Sequence, residues 1–298
     1  MTSYEYKVFL RGNNTTALVM SLETDASKRK HIQDAIFKQD KSIEQVGFVH
    51  STPDSAPALI MAGGEFCGNA TRCAAWYYSE QKPSDGIELT LHIVDSLTNK
   101  LTEQKVKAGV DESLNAWTCI PELPNPLEQT IKKIDDELYW VDMESICHLI
   151  VLQKQSAINL IGSPVNECEV IGNAKTLLKK HELFDKGACG VMFVENALNL
   201  LKIHPCVFVN SAGTEVYETS CGSGSIAVAL VSGYLSGQNI TDLSLLQPSG
   251  KVLKTYIEIQ SGRIVQAKIS GSMANEVLVT PPAKRCVKIA EEFCSMQN

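Results

Sequence analysis

Short apolar runs separated by polar turns dominate this chain and predict strands over most of its length. Residues 7–9 and 17–22 read as strands around the turn Arg11-Gly12-Asn13-Asn14. Residues 27–39 read as a helix, and 45–50 and 58–61 as two short strands with Ser51-Thr52-Pro53-Asp54 between them. A second helix is predicted from Cys67 to about Glu80, stopped by Lys82-Pro83. Residues 88–94, 105–110 and 116–120 read as a meander, and 121–126, with three prolines, as a linker. The second half repeats this order: strand 147–152, helix 170–180, strands 191–195 and 205–209, then a helix that starts at Cys221 and ends at 233–237. Strands 254–259 and 265–269 follow, around Ser261-Gly262-Arg263. This is the order of an α+β chain in two similar halves, 1–125 and 126–275, without a short-period repeat or low-complexity tract.

The halves share a chemical signature. Cys67 lies in Glu65-Phe66-Cys67-Gly68-Asn69-Ala70-Thr71, and Cys221 in Thr219-Ser220-Cys221-Gly222-Ser223-Gly224-Ser225. Each is followed by an apolar run, 73–78 and 226–231, and the two lie about half the chain apart. Both patterns place a thiol at a helix start, where N–H groups without helical partners and partial positive charge collect. Such a place is expected to lower a thiol's pKa, and the same N–H groups suit a carboxylate. Two such helices facing each other would hold one amino acid between two sulfurs. One sulfur would take the α-proton and the other would deliver a proton to the opposite face. The competing reading of any cysteine is burial as a small apolar residue. The recurring glycine, poor inside a helix and suited to close backbone approach, favours chemistry at these two. Cys67 and Cys73 are spaced for neither a redox pair nor a zinc knuckle, and no metal site is expected.

Composition narrows the setting. A length of 298 residues suits two domains. An apolar share of 44% beside 20% charged residues is that of a soluble globular protein. A net charge of −7 without a basic stripe argues against a nucleic-acid partner. The start, Met1-Thr2-Ser3-Tyr4-Glu5-Tyr6-Lys7, predicts no signal peptide, and no apolar stretch is long enough to predict a membrane partner. Ten cysteines in that context predict free thiols and a reducing, cytoplasmic location.

The pair Cys67-Gly68-Asn69 and Cys221-Gly222-Ser223-Gly224 resembles that of the cofactor-independent amino-acid racemases and epimerases of the diaminopimelate epimerase fold. The resemblance extends over nearly the whole chain. Within that family, Glu44-Gln45-Val46-Gly47-Phe48, the two cysteine segments, Glu218 and Gln247-Pro248-Ser249-Gly250 look like those of the histidine racemases of opine-type metallophore biosynthesis. The resemblance implies two pseudo-symmetric domains, each a small, mostly antiparallel β-barrel around a central helix. It implies an active site in the cleft between them, with residues 276–298 returning to the first domain. It also implies an isomerase without a cofactor, with Cys67 and Cys221 as acid and base, acting on L- and D-histidine. The implied partners are that amino acid and, as a homodimer, a second copy of the chain.

Further roles follow from the same resemblance. The backbone at Gly68, Asn69, Gly222 and Ser223 would bind the α-carboxylate and stabilise the dianion formed as the proton leaves. Asn14 and Gln45 match substrate-binding positions, though Asn14 also reads as an ordinary turn residue. Glu44 is either a solvated carboxylate or a receiver of the substrate amine or imidazole. His148 either orients a carboxylate or thiol or is a satisfied core histidine. Glu218 either caps its helix or binds the ammonium, while Arg72 and Trp76 are expected to pack. Three departures from the diaminopimelate pattern stand out. Ala62-Gly63-Gly64 replaces an Asn-x-Asp-Gly stretch, Ile146-Cys147-His148 keeps only the histidine of Asn-Pro-His, and Ala212-Gly213-Thr214 lacks an arginine. Gly190 stands where another substrate-binding Asn would align. Without the arginine, a distal carboxylate has no bidentate clamp. The alternatives are a diaminopimelate epimerase or a racemase of another amino acid, a dehydratase of the proline-racemase type, and a non-catalytic thiol or ligand-binding protein.

Overall fold

The computed structural model describes residues 2–11, 14–50, 52, 56–95, 98, 100–152, 160–162, 165–197, 200–273 and 284–289. Among the described residues, seventeen strands belong to one hydrogen-bonded sheet. Thr2–Arg11 (β1) and Asn14–Val19 (β2) form an antiparallel hairpin. Ala26–Gln39 (α1) crosses over to Gln45–Val49 (β3), which runs parallel to β2. Ala58–Met61 (β4) pairs antiparallel with β3. Gly68–Tyr78 (α2) then crosses to Ile87–Val94 (β5), parallel to β4. Leu101–Val110 (β6) and Asn115–Cys119 (β7) complete an antiparallel meander.

After the short helix Leu127–Thr130 (α3), Ile131–Lys133 (β8), Leu138–Asp142 (β9) and Cys147–Val151 (β10) pair antiparallel in turn. Glu167–Lys180 (α4) crosses to Ala188–Ala197 (β11), parallel to β10. Leu200–Val209 (β12) pairs antiparallel with β11 and also with Thr214–Tyr217 (β13). Gly222–Ser236 (α5) crosses to Ile240–Leu246 (β14), parallel to β12. Val252–Gln260 (β15) and Arg263–Ser272 (β16) close a second antiparallel meander. The sequence of pairings from β2 to β7 therefore recurs from β10 to β16. The two runs join where β16 pairs with β7, and Lys284–Ile289 (β17) pairs antiparallel with β1.

Both crossover helices at the cysteines are interior. Every residue of α2 is buried, as are Gly222–Val231 and Gly233 of α5. A helix apolar on all sides must be surrounded, and one core cluster gathers Ala70, Cys73, Ala74 and Trp76 of α2 with Ile226–Val231 of α5. The helices α1 and α4 cover two smaller clusters on the outer faces.

Several boundaries differ from the sequence-based expectation. The helix after Cys67 ends at Tyr78, short of Glu80, because Glu80 and Gln81 take left-handed φ values of 49° and 65°. The helix expected from residue 170 begins at Glu167. Leu123 of the expected linker packs into the main core. Residues 12–13 of the first turn and Ser51, Pro53 and Asp54 of the second lie outside the described residues. Among the described residues no helix is long and apolar enough to cross a membrane.

Candidate active site

The two cysteines occupy equivalent places. Each is the N-cap of its helix, Cys67 at φ −127°, ψ 107° and Cys221 at φ −123°, ψ 112°. Each Sγ takes the position a cap side chain normally fills: the Ala70 N–H lies 3.4 Å from Cys67 Sγ, and the Gly224 N–H 3.3 Å from Cys221 Sγ. The starts of α2 and α5 meet directly, with the Gly68 and Gly222 backbones in contact.

A pocket opens at this junction. Of the residues singled out in the sequence, Glu44, Gln45, Cys67, Asn69, Glu218, Cys221, Gly222 and Ser223 line it. Val46, Met61, Phe66, Ile146, Val207 and Val216 supply its apolar wall. Gly68 sits at the helix contact. Asn14 lies one layer back, where its amide donates to Glu44 Oε2 at 3.3 Å and to the Ser220 carbonyl at 2.9 Å, and its Oδ1 accepts from Gln45. Gln45 Oε1 in turn accepts from the Cys67 thiol. Asn69 donates to the same Ser220 carbonyl at 2.7 Å, so side chains from both β2 and α2 fix the segment before Cys221. Arg72, fully buried, braces Asn69 at 3.2 Å and ties α2 to the Ala116 and Gly271 carbonyls. His148 also lies behind the lining, with Nε2 2.9 Å from Ser223 Oγ.

Three participants had no role assigned from sequence. Glu65 lines the pocket, and its Oε2 is buried without a hydrogen-bond partner. Thr219 holds Glu44 through its N–H at 3.3 Å and its hydroxyl at 2.8 Å. Gln247, fully buried, accepts from the Cys221 N–H at 3.0 Å and donates to Ser225 Oγ at 3.2 Å, which steadies the helix start. Gln247 stands in the Gln247-Pro248-Ser249-Gly250 segment already marked by resemblance, which was the available signal for it.

The electrostatics correct one expectation. The Cys67 and Cys221 thiols are both raised well above their ordinary value, not lowered. Burial is the largest cause for each, and the Glu218 carboxylate adds to it. The helix N–H groups act in the expected direction but are outweighed. Glu218 is itself raised to about 8, first by burial and then by Glu44 and Glu65. Burial also raises Glu44 and Glu65. Burial lowers His148 to about 3, so its imidazole is neutral. Among the described lining residues the acids are Glu44, Glu65 and Glu218, and there is no Lys, Arg or His. The site thus combines two thiols, two helix starts and a carboxylate cluster that gains from a bound cation.

Comparisons with known proteins give the family and the likeness of fold. The family model described as the histidine racemase CntK N-terminal domain matches residues 7–276. The chain is 27% identical over 241 residues to a histidine racemase of Fusobacterium nucleatum subsp. nucleatum, covering 80% of this chain and 83% of that one. It is 23% identical over 271 residues to a histidine racemase of Staphylococcus aureus, covering 84% and 88%. The crystal structure of a hydroxyproline epimerase from Agrobacterium vitis superposes with a TM-score of 0.60 at 12% identity, over 96% of this chain and 92% of that one, which is a likeness of fold.

Proposed function

Because the chain belongs to the histidine racemase CntK N-terminal domain family, and is thereby an amino-acid racemase or epimerase, we propose that it interconverts L- and D-histidine with Cys67 and Cys221 as acid and base. The observation that carries the substrate is the acidic lining: Glu44, Glu65 and Glu218 with no cationic side chain among the described lining residues. Histidine offers an ammonium and an imidazolium to those carboxylates and a flat ring to the wall of Val46, Met61, Phe66 and Val207. A second carboxylate, as in diaminopimelate, finds repulsion there and no arginine.

The mechanism is electrostatic. The α-carboxylate binds at the starts of α2 and α5, where N–H groups lack helical partners. Charge that develops as the α-proton leaves falls on those same donors. Cys67 and Cys221 act from opposite faces, one as thiolate and one as thiol, and titrate as a coupled pair. The raised thiols fit this scheme. The ammonium and imidazolium of a bound substrate offset Glu218 and Glu65, which favours thiolate formation. The doubled strand order supports two pseudo-symmetric barrels, residues 1–125 and 126–275. The pairing of β17 with β1 supports the assignment of residues 284–289 to the first, while 276–283 and 290–298 of that expected return lie outside the described residues.

The test is a panel of L-amino acids in D₂O, read by loss of the α-proton and appearance of the D-enantiomer. Histidine is expected to exceed diaminopimelate and neutral amino acids by at least about tenfold in kcat/KM, as one unpaired charge in a closed site costs more than about 1.4 kcal/mol. Equal or better turnover of diaminopimelate overturns the substrate assignment.

A further inference from the structure

The surroundings of the two sulfurs differ where the strand order does not. Two places after Cys67 stands Asn69, whose amide is engaged by the Ser220 carbonyl and Arg72. Two places after Cys221 stands Ser223, whose hydroxyl lies 3.7 Å from Cys221 Sγ and 2.9 Å from His148 Nε2. His148 is fully buried on β10, and its Nδ1 has no hydrogen-bond partner. Gly190, its register neighbour on β11, closes that side: a Cβ there would lie 2.7 Å from Nδ1 and 2.9 Å from the Cys206 carbonyl. The ring therefore reaches the site through Nε2 alone.

A neutral imidazole carries one N–H. A buried N–H without an acceptor is rarer than an unmet lone pair, so the proton belongs on Nε2, where Ser223 Oγ accepts it. The Ser223 hydroxyl proton is then free to turn toward Cys221 Sγ. Cys67 has the opposite arrangement: its side-chain neighbour is the Gln45 carbonyl oxygen, an acceptor. The other group facing Cys221 is Glu218, which accepts from the thiol.

Resting on the racemase reading above, we propose that His148 is a positioning residue rather than a substrate ligand, holding the Ser223 hydroxyl as a hydrogen-bond donor to the Cys221 sulfur, with no counterpart at Cys67. When Cys221 is the base, its S–H proton passes to the Glu218 carboxylate, and the sulfur's new charge meets the Ser223 O–H. When Cys67 is the base, its thiolate keeps, among the described residues, the Ala70 N–H alone as a donor. The twofold site is thereby unequal in its support of the two thiolates.

The test measures alkylation of Cys221 by iodoacetamide at fixed pH in a Cys67→Ser background, followed by peptide mass spectrometry. The rate follows the thiolate fraction. Ser223→Ala is expected to slow it about tenfold, the loss of one hydrogen bond to a charged sulfur. His148→Leu should slow it by the same factor, His148→Gln should restore most of the rate through its amide N–H, and His148→Leu should add nothing once Ser223 is Ala. Ser223→Ala, which removes one buried hydroxyl from α5, is judged by itself: an unchanged or faster rate overturns the proposal. So does a His148→Leu effect that adds to that of Ser223→Ala in protein with unchanged circular dichroism. Alkylation does not involve the substrate, so failure of the wild-type chain to racemise histidine overturns only the functional reading.

Discussion

A Cβ on Gly68 would sit 3.3 Å from the Gly222 Cα, and one on Gly222 would sit 3.0 Å from the Gly68 Cα. The two helix starts thus touch backbone to backbone at the floor of the pocket. Their N–H groups converge on one place, which a single carboxylate can occupy. Neither obstacle is a flexible side chain, so any side chain at either position must push the helices apart.

Gly68→Ala and Gly222→Ala are therefore expected to cost about 1–3 kcal/mol of stability each by overpacking. Activity should fall by about 10²-fold as the two donor sets separate. The tighter contact predicts the larger effect for Gly222→Ala. Thermal melts and kcat/KM on histidine check this. A fully active Gly222→Ala would mean that the helix contact does not set the carboxylate site.

Affinity for histidine should show a plateau in pH. Glu218 sits at about 8, and a free imidazole titrates near about 6.5. Between these values the protonated Glu218 and the neutral imidazole together hold the one proton that the bound ion pair needs. Above pH 8 a proton must be taken up, and below about 6.5 one must be released, so affinity falls on both sides. Calorimetry across pH 5.5–9.5 tests this, with about that range chosen to bracket both groups. Glu218→Gln should remove the upper limb. Affinity that rises steadily through pH 9 would contradict the pairing of Glu218 with the ring.

The neutral His148 predicts acid lability. Its folded value, about 3, lies below the unfolded value of about 6.5. A lowered histidine contributes stability that is complete above the unfolded value and is lost as pH falls toward the folded one. The loss approaches about 1.4 kcal/mol per pH unit. Burial lowers His204 as well, so it adds with the same sign. Glu218, raised to about 8, binds a proton in the folded state over the same window and contributes with the opposite sign, so urea unfolding of the chain and of His148→Gln is compared between about pH 7 and 5, and the substitution should remove the His148 share of the slope. An unchanged slope would place the lability elsewhere.

Much of this was legible in the sequence, and the electrostatics of the site were not, because they come from tertiary packing. Cys67 and Cys221 announce themselves because a cysteine, a glycine and small polar residues before an apolar run are local features of a helix start. The strands β8, β9, β13, β14 and β17 were not predicted: β17 pairs with the distant β1, while β8, β9, β13 and β14 lie in local antiparallel pairings but are short or interrupted by polar residues, which blurs the apolar pattern. Glu65 was visible as a residue but not as a buried acid that feels the charge of Arg29 on α1 and raises the Cys67 thiol. The thiol pKa went the wrong way for the same reason: the helix terminus is local, whereas burial and Glu218 come from tertiary packing. His148 was picked out by resemblance, yet only the β10–β11 register sets it behind Ser223 instead of in the pocket.

Cys67→Ser and Cys221→Ser should each lower racemisation by at least about 10²–10⁴-fold, the range of a lost general acid or base. A hydroxyl is too weakly acidic to replace either thiolate. Near-normal racemisation in either variant would remove that cysteine from the chemistry.

The most direct measurement is the isotopic course of the reaction on L-histidine in D₂O, sampled while most substrate remains. Two thiols on opposite faces predict D-histidine carrying deuterium at the α-carbon while the unreacted L-histidine keeps its proton, and no exchange of the kind that yields D-histidine in either serine variant. Deuterium appearing equally in both enantiomers from the outset would mean a single base serves both faces, and no α-exchange at all would contradict the account of Cys67 and Cys221 as a racemase pair.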